Sequence, residues 1–102
     1  TPSSPETLGA AYYALGNYKE ASAQLGIALA KSPSNNNIRT LQAASLVSAA
    51  KFTNSNAEIL RMQAAKLVDS KDLNLTGKQK LFLLNTNDEY LRTALEQIKG
   101  PS

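Results

Sequence analysis

The 102-residue chain carries eleven basic and eight acidic side chains, for a formal net charge of +3, and has no cysteine, histidine or tryptophan. Without thiols or imidazoles it has no disulfide, no thiolate or imidazole metal site and no histidine-based acid–base chemistry. The small basic excess is ordinary surface balance and not the clustered footprint of a nucleic-acid binder.

One core is possible at this length, so a single domain over residues 1–102 is expected. The hydrophobic fraction is 42%, and much of it is alanine, which lets helices approach closely but buries little area per residue. No apolar run approaches the roughly 18–20 residues that cross a bilayer, so no membrane span is expected. The opening Thr1-Pro2-Ser3-Ser4-Pro5 has neither Met nor the charged and apolar regions of a signal peptide. A fragment or a processed chain would start this way, which leaves the compartment open.

Ser4-Pro5-Glu6 reads as a helix start, with a serine cap, proline at the first position and a carboxylate on the dipole. That helix runs to about Leu15 with Leu8, Ala11, Tyr12 and Leu15 on one face. Gly16-Asn17 breaks it. Asn17 and Glu20 then spell a capping box for a second helix, Tyr18 to about Lys31, striped by Ala21, Leu25, Ala28 and Leu29. Pro33 ends this helix by pushing the residue before it out of the helical region.

A third helix is expected over about Asn37 to Lys51, its large residues Ile38, Leu41, Leu46 and Val47 padded with alanine and serine. Ser55 and Glu58 spell a box for a fourth, Asn56 to about Asp69, apolar over so wide an arc that it reads as a central helix packed on two sides. The connector Ser70–Leu75 follows. Thr76 and Gln79 box a short fifth helix ending near Asn85, with Leu81-Phe82-Leu83-Leu84 as its core. A strand competes for that run, but the cap and Lys78-Gln79-Lys80 favour a helix. Thr86 and Glu89 box a sixth, Asn87 to about Lys99, stopped by Gly100-Pro101. The expected fold is therefore all-α, with about six helices in three antiparallel hairpins.

One stretch is more specific. Leu8-Gly9, Tyr12, Ala21, Leu25, Ala28 and Pro33, with Gly16 and Tyr18 at the turn, have the spacing of a single two-helix unit. The stretch from about Pro2 to Asn35 resembles a tetratricopeptide repeat, whose pattern over about 34 residues is W-x2-L-G-x2-Y, A-x3-F, an alanine and a closing proline. Pro5 stands at the tryptophan position and Leu25 replaces the aromatic. One period on, Gln42-Ala43 and Leu46 lack the signature, and Ala50-Lys51-Phe52 stands loosely for the turn. The third hairpin matches only as a helix pair. About three units are needed to bury such faces, so the later helices are expected to stack as degenerate repeats or a cap, in a right-handed superhelix.

The resemblance implies a protein–protein interaction module. In this family the first helix of each hairpin lines a concave groove for an extended or helical peptide. By position, the groove residues here are Glu6, Ala10 and Tyr13, then Thr40, Ala44 and Val47 from the third helix. Ala10 stands where the family's carboxylate-clamping receptors carry asparagine, so no such clamp is expected. The alternative is a structural segment that caps, or associates with copies of itself, in a larger scaffold.

No catalytic residue or cofactor is expected: there is no phosphate-cradling glycine loop, and Glu20, Glu58 and Glu89 are assigned to caps. Lys66, Lys71, Lys78 and Lys80, interrupted by Asp69 and Asp72, read as a solvated connector before they read as an anion-binding surface.

Overall fold

The computed structural model describes residues 4–69 and 74–97. Six helices follow one another: α1 Pro5–Ala14, α2 Tyr18–Lys31, α3 Asn36–Ala50, α4 Ala57–Val68, α5 Gly77–Leu84 and α6 Glu89–Gln97. No strand occurs among the described residues, and the run Leu81–Leu84 is helical. The connector at residues 70–73, with Lys71 and Asp72, lies outside the described residues, as does the stop expected at Gly100-Pro101.

The chain pairs α1 with α2, α3 with α4, and α5 with α6, while α2 packs on α3, α6 on α4, and α5 on α3. One apolar cluster joins Ala21, Leu25, Ala28 and Ile38. A larger one joins the second and third hairpins through residues such as Val47, Val68, Leu83 and Leu91. Tyr13 packs against both.

Small residues set the approach of α1 to α2. A Cβ added to Gly9 would stand 2.5 Å from Leu25 Cγ, a distance that non-bonded carbons do not tolerate. Leu25 and Ala21 are fully buried there, and Tyr12 packs against their cluster.

The central helix is α3, not α4. Among the described residues it contacts α1, α2, α4 and α5, whereas α4 contacts only α3 and α6. Ile59 and Met62, two of the residues that make its apolar arc wide, are 55% and 52% exposed. With only two neighbours, α4 has more apolar surface than it has cover.

Candidate functional site

Two of the six expected groove residues, Glu6 and Ala10, sit exposed one turn apart on α1. Tyr13, the next on that face, is half-buried. Thr40, Ala44 and Val47 are buried at 5%, 0% and 2% exposure. The expected α1–α3 groove is therefore corrected: four helices pack around α3, and neither Ala44 nor Val47 presents a surface to a partner. Thr40 keeps only an edge. Its hydroxyl donates to the Asn36 carbonyl at 2.7 Å, which satisfies it inside the helix.

The other wall comes from α5. Phe82 meets Tyr13 with ring centroids 5.8 Å apart, so the α1 and α5 sides touch at one point. Tyr13 in turn meets Tyr18 edge-on at 5.3 Å, and Tyr18 stacks on Phe52 at 6.0 Å and 18°. Such geometries are favourable beyond the area they bury, by about 0.5–1.5 kcal/mol a pair. Burial pushes the Tyr13 phenol above its ordinary value of 10.0, and the neighbouring Ser48 side chain pulls it part of the way back. A neutral phenol in a hydrophobic seam is a packing residue, and truncating it would loosen both clusters.

Beside the Tyr13–Phe82 contact a hollow of about 260 Å³ remains between α3 and α5, lined by Asn37, Thr40, Leu41, Lys78, Gln79 and Phe82. Its rim is held by the Gln79 amide, which donates to Asn37 Oδ1 at 2.7 Å. The Asn36 amide donates to the Asn74 carbonyl at 2.7 Å nearby. The first joins α3 to α5, and the second joins α3 to the segment leading into α5. Phe82, expected in the core run of this helix, is 37% exposed. Lys78 and Phe82 are four apart, so one face of α5 carries both; extending the one-helix-per-hairpin rule to the third hairpin would have found them.

The second polar cluster is a fastening. Arg61 Nε on α4 donates to Asp88 Oδ1 at 2.8 Å, and the guanidinium lies 4.1 Å from the centre of the Tyr90 ring. The Tyr90 hydroxyl donates to Glu58 at 3.0 Å. Its pKa is raised by that bond, and that of Arg61 by the bond to Asp88. The Asp88 side chain is 4% exposed, so the pair ties α6 to α4 and offers little to a ligand. Among the described residues, no three His, Cys, Asp or Glu side chains stand where they could hold a metal ion. No helix there is long and apolar enough to cross a membrane.

No family model matches the chain, and neither a curated protein nor a solved structure is matched with it. The fold and the hollow themselves define the class: an all-helical protein with a shallow, mainly apolar recess under a polar rim.

Proposed function

We propose that the chain is a protein-binding module of the tetratricopeptide kind, which grips a peptide or partner helix on the side where α1 and α5 flank α3. The observation that carries this reading is the hollow between α3 and α5, with Leu41 and Phe82 for an apolar side chain and Lys78 at its edge. The exposed Ala10 and Glu6 extend that side along α1. The close contact of Gly9 with Leu25, and the α1–α2–α3–α4 packing order, support the repeat assignment.

Random peptides displayed on phage and enriched on the immobilised chain provide the test. Ala10→Arg and Lys78→Glu alter exposed positions, so thermal melting should be unchanged. Binding of the enriched peptides should fall by about tenfold or more, equivalent to ~1.4 kcal/mol. Peptides indifferent to both variants would refute the assignment of this side.

One observation favours a second reading, a structural segment that covers itself with another unit or copy. Leu81 and Leu84 on α5 are 60% and 37% exposed. Under that reading, light scattering of the chain alone shows mass increasing with concentration. Under the first it does not.

A further inference from the structure

A second cleft opens on α3 where α2 and α4 fail to meet. It measures about 510 Å³, with Tyr18, Lys19 and Ser22 from α2 on one wall, Asn56 and Leu60 from α4 on the other, Ala49 of α3 also lining it and Phe52 at its mouth. Its volume lies in the range of about 300–1,000 Å³ in which proteins hold small ligands, so it has room for a few residues and not for a helix.

Three properties of its lining coincide. First, Phe52 is 80% exposed although it stacks on Tyr18, and Leu15, at the turn just before Asn17, is 78% exposed. Large apolar side chains exposed singly are ordinary; a stacked pair at the mouth of a cleft is not. Second, Asn17 and Asn56 both line the cleft and precede helices, yet neither side chain makes a capping hydrogen bond. Ser4, Asn35 and Thr76, by contrast, all cap theirs. An uncommitted carboxamide offers a donor and an acceptor together, which is the complement of one peptide unit. Third, Lys19 carries the only formal charge among the lining residues, and it joins no ion pair among the described residues. Glu58, two positions past Asn56, is engaged by the Tyr90 hydroxyl.

We infer that this cleft is a docking site for an extended acidic peptide segment with an apolar side chain next to its carboxylate. The apolar group lies on the Tyr18–Phe52 stack, the Asn17 and Asn56 amides take the backbone, and Lys19 takes the carboxylate. The charge complementarity decides the occupant: a basic or neutral segment leaves Lys19 unpaired, and the chain's net charge of +3 adds in the same sense. This site uses residues distinct from those of the α3–α5 hollow, so the two stand or fall separately.

The probe is a phage-displayed library of random dodecapeptides, selected on the immobilised chain and then counter-selected on Lys19→Glu. The expected survivors place Asp or Glu within a residue or two of Phe, Tyr, Trp or Leu. Synthetic fluorescent copies should lose about tenfold in affinity on Lys19→Glu and on Phe52→Ser, and should weaken as salt rises. Both substitutions sit at exposed positions, and circular-dichroism melts check that folding is retained. Survivors without acidic residues, no enrichment at all, or affinities unchanged by both variants would overturn the proposal. Peptides that lose affinity only on Ala10→Arg or Lys78→Glu also count against it, because they belong to the other side.

Discussion

Helices α3 and α4 pack on each other, and their sequences suggest the wrong one as the centre. α4 is the more continuously apolar, with Ile59, Leu60, Met62, Leu67 and Val68, yet only Ala64 and Val68 of its twelve residues are buried. α3 is diluted with alanine, serine and threonine, yet ten of its fifteen residues are buried, Thr40, Gln42, Ser45 and Ser48 among them. Burial follows the number of neighbours a helix can admit. Ala43 and Ala44, both at 0% exposure, let other helices come close to the α3 backbone, and small side chains do this better than branched ones. The hydroxyls add little cost, because Thr40 and Ser45 donate to carbonyls four residues back, at 2.7 and 2.8 Å.

The largest effect expected from this contrast comes from enlarging a small residue of α3. Ala44→Leu introduces three carbons where the Ala44 side chain has no exposed surface. Overpacking should cost about 1–3 kcal/mol or more. A thermal melt should fall by roughly 4–8 °C for each kcal/mol in a domain of this size. An unchanged melt would mean that α3 has room on one side, and its central place would be lost.

An intermediate effect of opposite sign is expected at Gln42. Its Nε2 donates to the Ser22 carbonyl at 3.0 Å, but its buried Oε1 has no hydrogen-bond partner among the described residues. Gln42→Met keeps the volume and removes the stranded acceptor. The lost bond is worth about 1 kcal/mol and the stranded group costs about 1–3 kcal/mol, so a net gain on the order of 1 kcal/mol should follow. Chemical denaturation would measure it as a higher midpoint at constant slope. A lower midpoint would show that the amide as a whole supports α3 more than its loose oxygen harms it.

The same contrast explains what could be read in advance. Helix existence was legible because prolines, glycines and polar caps punctuate the chain, and each bound lies close to such a residue. The cap geometry was not. Four capping boxes are spelled, but the reciprocal bonds form only at Thr76 and Gln79, where the cap backbone is extended at φ −73, ψ 164. Asn17 sits at φ −91, ψ 69 and makes no side-chain cap. Asn56 takes the place expected for Ser55, and it too leaves its side chain free. Asn87 turns left-handed at φ 58, which delays α6 to Glu89 and leaves Thr86 donating to the Leu83 carbonyl at 2.6 Å. For the candidate site, the resemblance implied Glu6, Ala10 and Tyr13 by position; spacing puts them on one side of α1, where Glu6 and Ala10 are exposed and Tyr13 is half-buried. Periodicity within one helix contains nothing about which other helix will lie over it, so the covering of Ala44 and Val47 was out of reach.

The smallest effect should come from the exposed face of α4. Ile59→Gln and Met62→Gln exchange apolar for polar side chains at positions that are 55% and 52% exposed, and each should change stability by no more than about 0.5 kcal/mol. Side chains this open give up little transfer free energy when made polar, because half their surface already faces water in the folded state. A larger loss would therefore require something else to cover α4. A second copy would also make the melting temperature of the unaltered chain rise with its concentration, since association stabilises the folded state by mass action. A concentration-independent melt together with two near-neutral variants leaves α4 as the helix with the apolar sequence and the open face, and α3 as the helix with the small residues and the neighbours.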